Sequence, residues 1–178
     1  MSRATFPPVR ISEIVLKTAR YAEMGRWYDV LLGVAPHLDN GRVAFRRLHS
    51  DYPYTQVLAI FHRPEIEGHE RSGPGLDHVQ FRYGSLGILV ESYERLRNAG
   101  VRPFRSANHG PGTSLYYRDP DGNVVELSAT NFDTEAEYLA YFDSEAFRRN
   151  ISGVEIDPDD FAARFRSGVA QRDLVRVP

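Results

Sequence analysis

The chain contains no cysteine. Thiolate nucleophiles, disulfides, iron–sulfur clusters and cysteine-based zinc sites are therefore excluded. It also lacks a surplus of either charge: 22 Lys and Arg stand against 24 Asp and Glu, for a formal net charge of −2. With no basic excess to displace the counterions of a phosphate backbone, a nucleic-acid partner is not expected. No run of about 18 apolar residues occurs, so no membrane partner is expected either. The opening "MSRATFPPVR" lacks the apolar core of a signal peptide, and a cytoplasmic location is expected. What remains is an ordinary globular composition, with 42% hydrophobic and 26% charged residues among 178. A single domain of that size buries roughly two-thirds of its unfolded surface.

The sequence repeats itself. Residues 13–36, "EIVLKTARYAEMGRWYDVLLGVAP", and 78–103, "HVQFRYGSLGILVESYERLRNAGVRP", each pass from a short strand-like run into helical spacing and close on Gly-Val-x-Pro. Met24, Trp27, Tyr28, Leu31 and Leu32 in the first copy match Leu86, Leu89, Val90, Tyr93 and Leu96 in the second. Gly33 and Gly100 are the expected helix stops. Strand candidates follow at 42–49 and 55–62 in the first copy, and at 101–107, 113–119 and 123–129 in the second. Each copy thus predicts a β-α-β-β-β unit within one α+β domain: module one over 10–63, a Pro- and Gly-rich linker over 64–76, and module two over 77–130. Residues 131–178 predict a helical extension, with helices over 134–150 and 157–168 that cap a sheet face or contact a second copy in a homodimer.

Polar residues at the first and last strands of the two copies point to a site. His78 begins the second copy, and Glu126 sits in its last strand with Val125 and Leu127 facing the other way. Their first-copy counterparts are read as Glu13 and Gln56. A carboxylate in the middle of "NVVELSA" suits a face lining something wet, charged or metallic. One imidazole, two carboxylates and an amide oxygen form a credible site for Fe(II), Mn(II), Ni(II), Zn(II) or Co(II). The bland readings are a solvent-facing Glu126, a satisfied core His78, an exposed Glu13 and a Gln56 bonded to a neighbour. His109 precedes Gly110-Pro111-Gly112, a loop with the glycines to move, and has the ordinary pKa to accept a proton. Tyr116 and Tyr117 fall on opposite strand faces, so one reaches the cavity and the other the core. Asp119-Pro120-Asp121-Gly122 is a structural turn, and His37, His49, His62, His69 and Trp27 carry no functional signal.

The paired modules, "GLDHVQF" and "SLYYRDPDGNVVEL" resemble the vicinal oxygen chelate superfamily of glyoxalases, bleomycin-resistance proteins and extradiol dioxygenases. "NHGPGTSLYYRDPDGNVVELSATNFDT" is most similar to its small, single-domain extradiol-dioxygenase-like members. The resemblance implies an open, cup-shaped mixed sheet, a divalent metal (Fe(II) or Mn(II) first) and a small oxygen-chelating aromatic substrate. It implies Glu13, His78 and Glu126 as metal ligands, His109 and Tyr116 as proton-handling residues, and Gln56 as a fourth ligand or a substrate contact. Glu13 and Gln56 stand where that dioxygenase pattern has histidines. The same inventory resembles the four-ligand sites of glyoxalase I and methylmalonyl-CoA epimerase, so a non-oxidative lyase or isomerase is an alternative, and a metal-free binding or resistance protein is another.

Overall fold

The computed structural model describes residues 10–50, 55–67, 74–149 and 152–176. The chain divides into two compact units, residues 1–71 and 72–178. The division falls within the expected linker, whose middle, with His69, lies outside the described residues.

The first unit runs β1 (Glu13–Thr18), α1 (Tyr21–Leu32), β2 (Leu38–Asp39), β3 (Val43–His49) and β4 (Gln56–His62). Its sheet has the order β1-β4-β3-β2, with β1 parallel to β4 and the remaining pairs antiparallel. Met24, Tyr28 and Leu31 form the buried stripe of α1, and Gly33 ends the helix at φ 67°. Arg46 is 1% exposed. Its guanidinium donates to Asp29 Oδ1 at 2.8 Å and to the Gly25 carbonyl at 2.9 Å, so the face of β3 and β4 carrying Arg46 and its register partner Leu58 is the one α1 covers. Tyr21 of α1 stacks on His62 on that same side.

The second unit runs β5 (His78–Tyr83), α2 (Leu86–Asn98), β6 (Arg105–Asn108), β7 (Gly112–Arg118) and β8 (Val124–Thr130). The extension follows as α3 (Glu135–Tyr141), α4 (Glu145–Arg149), β9 (Val154–Glu155), α5 (Pro158–Arg166) and α6 (Gln171–Leu174). Its sheet has the order β5-β8-β7-β6-β9, again with one parallel pair, β5 and β8. Both units are therefore open, mixed sheets with the predicted β-α-β-β-β order, and the fold is α+β. Ser85 caps α2 by accepting from the Ile88 N–H, and Leu86, Leu89, Val90, Tyr93 and Leu96 are all buried.

Two elements depart from expectation. β6 starts at Arg105 and not at 101, because Pro103 has no N–H to give a ladder; Phe104 makes the first link, to the Tyr116 carbonyl. The helix expected over 134–150 breaks after Tyr141, where the Ser144 hydroxyl turns to accept from the Phe147 N–H and restarts the chain as α4. The two-residue strands β2 and β9 and the short α6 were not foreseen, being too brief to show periodicity.

The extension binds the second unit in two ways. Phe161 and Ala162 of α5 lie against Leu89, Val90, Tyr93, Thr113 and Leu115. The Asp159 carboxylate accepts from Tyr93 at 2.7 Å, Arg97 at 2.7 Å and Arg102 at 3.0 Å. β9 adds a fifth strand to the β6 edge, pairing Ala107 with Glu155 and Asn108 with Val154.

Candidate active site

Strand alternation divides the second sheet into an α2-covered side and an open side. Thr113, Leu115, Tyr117, Val125 and Leu127 are buried beneath the helices, whereas His78, Gln80, Arg82, Ser114, Tyr116, Glu126 and Ser128 line one cavity of about 260 Å³ with His109 and Tyr138. Tyr116 thus takes the cavity and Tyr117 the core.

Glu126 lies on an interior strand, between β5 and β7, and is 4% exposed. A carboxylate is tolerated there because its oxygens are partnered. Oε1 accepts from the Gln80 amide at 2.7 Å and from the Ser114 hydroxyl at 2.5 Å. Oε2 faces His78 Nε2 at 2.9 Å, while His78 Nδ1 meets Asp77 Oδ1 at 2.6 Å. In the neutral ring a proton on Nδ1, donated to Asp77, leaves the Nε2 lone pair pointing at a carboxylate oxygen. Two lone pairs converging in this way suit a cation, and an imidazole whose other nitrogen donates to a carboxylate is the usual support of a metal-binding histidine. The pair therefore fits a divalent ion, although no cluster of three or more potential His, Asp or Glu ligands is gathered among the described residues.

His109 Nε2 and the Tyr116 hydroxyl are 2.9 Å apart, and the Tyr116 ring lies edge-on to both His78 and His109. Burial lowers the His109 pKa below the ordinary histidine value, with the Glu126 charge opposing. Burial, and then the same charge, pushes the Tyr116 phenol up to about 12. At neutral pH the tyrosine keeps its proton and the imidazole is uncharged, so in the tautomer that carries its proton on Nδ1 the Tyr116 hydroxyl donates to His109 Nε2.

Side-chain amides hold the loop after His109 through hydrogen bonds to its backbone. The Gly110 N–H donates to Asn108 Oδ1 at 2.8 Å. The buried Asn131 amide donates to both Asn108 Oδ1 and the Gly110 carbonyl, at 2.9 Å each. Gly110 is at φ 91°, and a Cβ there would fall on the Tyr141 ring. On the other side Gly153, at φ 86°, backs the imidazole, and a Cβ there would lie 2.6 Å from His109 Nδ1.

The first unit places its two candidates on opposite faces. Glu13 is exposed at the start of β1, in register with Val57, so it shares the side facing away from α1 with Val15, Lys17, Ala59 and Phe61. Gln56 precedes Val57 and falls with Leu58 and Ile60 on the side α1 covers. The pairing of Gln56 with Glu126 is thereby corrected: His78 aligns with Val124 and reaches Glu126 two residues on, and the same step from Glu13 reaches Ala59. Matching by chain separation alone missed the parity of the strand, which the parallel register fixes.

Comparison with known proteins follows the same lines. The family model of the Glyoxalase/Bleomycin resistance protein/Dioxygenase superfamily matches residues 10–127. The chain belongs to this superfamily. Biphenyl-2,3-diol 1,2-dioxygenase 3 of Rhodococcus globerulus is 35% identical over 167 residues, covering 93% of this chain and 86% of that protein. Biphenyl-2,3-diol 1,2-dioxygenase 2 of the same organism is 32% identical over 149 residues, covering 84% and 77%. Among solved structures, a glyoxalase/dioxygenase from Nostoc punctiforme superposes with a TM-score of 0.57 at 16% identity, over 73% of this chain and 99% of that one. A lactoylglutathione lyase from Agrobacterium tumefaciens superposes with a TM-score of 0.53 at 22% identity, over 70% and 96%. These two share the superfamily fold.

Sequence reasoning missed Asp77, Ser114, Ser128 and Tyr138. Asp77 was visible as the neighbour of His78 in "GLDH", while Ser114 and Ser128 follow from alternation once the register of β7 on β8 is known. Tyr138 comes from a helix whose docking no strand pattern reveals.

Proposed function

We propose that this superfamily member is a divalent-metal-dependent extradiol dioxygenase, opening the ring of a small catechol-type substrate beside its vicinal hydroxyls. The observation that carries the reading is the joining of two pairs in one cavity: His78 with Glu126, suited to an ion, and His109 with Tyr116, suited to a proton. The two dioxygenase relatives, similar over most of the chain, give that geometry its reaction.

His78 and Glu126 would hold the ion, Fe(II) or Mn(II). When bound, the ion supplies the Lewis-acid and one-electron chemistry that brings a diol and O₂ together. The chain's own residues do the rest. Gln80 and Ser114 fix the Glu126 carboxylate, and Asp77 orients the imidazole of His78. A substrate hydroxyl beside Tyr116 can pass its proton to the phenol oxygen as Tyr116 passes its own to His109 Nε2, so the base is the half-buried, neutral imidazole.

The test is an anaerobic Fe(II) or Mn(II) titration followed by assay on a panel of catechols with and without O₂. O₂-dependent formation of a ring-opened product with about one equivalent of metal is expected. Turnover that persists without O₂ overturns the oxygenase reading and favours lyase or isomerase chemistry.

A further inference from the structure

Beyond the metal-facing residues, the cavity has a second end. One rung past the Gln80 and Glu126 pair, Arg82 of β5 is in register with Ser128 of β8, and both line the cavity. Ser128 is 1% exposed, yet its hydroxyl has no partner among the described residues. A buried hydroxyl left in that state is unfavourable unless something else completes it. Arg82 is exposed and forms no ion pair among the described residues; its guanidinium sits 5.6 Å over the Tyr138 ring, which also lines the cavity. The ring holds the cation at the cavity wall without satisfying its N–H fork.

We propose that Arg82 and Ser128 form an anion subsite, and that the preferred substrate carries a carboxylate on the ring bearing the vicinal hydroxyls. This rests on the ring-cleaving reading for the reaction but not for the binding. Two residues along a strand span about 7 Å, the reach of one aromatic ring with a short arm. A diol seated at His78 and Glu126 therefore brings a ring substituent to the Arg82 rung. A guanidinium with a hydroxyl beside it is a donor set for a carboxylate, with two charge-assisted N–H bonds and one O–H bond available. The uncharged second ring named in the biphenyl-diol relatives leaves such donors without a partner, so this chain departs from them in substrate.

Two measurements test the subsite. Binding of dihydroxybenzoates and of the matching dihydroxybenzamides to the metal-loaded protein is followed by calorimetry without O₂, and turnover of the same pairs is followed with O₂. The wild-type protein is expected to prefer the carboxylate roughly tenfold or more. Arg82→Gln removes that preference and leaves the amide unchanged, and Ser128→Ala reduces it severalfold. Arg82 is exposed, so its variant folds even where Ser128→Ala does not. Equal binding of acid and amide by the wild type, or a preference that survives Arg82→Gln, overturns the subsite. Cleavage of catechols without a carboxylate preference leaves the reaction standing and the subsite refuted. A carboxylate preference lost in Arg82→Gln, with no cleavage of any catechol, does the reverse.

Discussion

His109 is the residue whose state sets the pH response. Burial holds its pKa below the ordinary value of about 6.5, so the folded protein binds its proton less readily than the unfolded chain does. The stability this represents is fully present above that value and is lost as pH falls through the window beneath it. Activity follows the same limb: kcat/KM is expected to fall on acidification with an apparent pKa under about 6.5, and His109→Gln should flatten that limb while lowering the rate. A pH-rate profile of both proteins checks this. Tyr116→Phe keeps the ring that lies against His78 and His109 but removes the hydroxyl between substrate and base. About a hundredfold loss in kcat, with metal content unchanged, is expected.

At the scale of elements, the strands were more legible than the extension. The alternation in "HVQFRY" and "NVVELSA" was enough to put His78 and Glu126 on one polar face, because a buried strand has one wet side and one dry. Gln56 was misplaced because separation along the chain counts residues, whereas a sheet counts parity. The extension was harder to read, since its short elements draw their positions from what they dock on. The Asp159 carboxylate shows this: its three donors, from α2 and the segment after it, hold its pKa far below the usual carboxylate range. Asp159→Asn should lower the melting temperature at neutral pH. The difference between variant and wild type should shrink as pH falls below the ordinary carboxylate value, where Asp159 of the unfolded chain takes up its proton while the folded carboxylate still resists. Thermal melts across pH measure it.

At the scale of the molecule, the two copies have kept one topology and divided its use. The side of the first sheet facing away from α1 carries Glu13 and Lys17 among Val15, Ala59, Phe61 and Phe45, while the cavity side of the second carries an imidazole, a carboxylate, hydroxyls and a guanidinium. Glu13→Gln reads how far module one takes part: a ligand there predicts at least tenfold weaker Fe(II) binding, and an exposed bystander predicts none. Glu126→Ala should abolish metal binding. It should also abolish the rise in melting temperature that metal gives the wild type, since an ion that binds only the native state stabilises in proportion to the logarithm of its concentration.

The family match ends at residue 127, but the wall behind the base does not. Gly153 reaches the imidazole from the turn before β9, a strand that exists only by pairing with β6. A chain shortened to the family core would retain His78, Glu126, His109 and Tyr116 and still lose the surface against which His109 is set. Gly153→Ala makes the smallest version of that loss, adding one methyl and a strained φ, with kcat expected to fall about tenfold at unchanged metal affinity. The tail is in this sense an inherited tool rest, and a graft of the superfamily core onto another protein would have to carry it along.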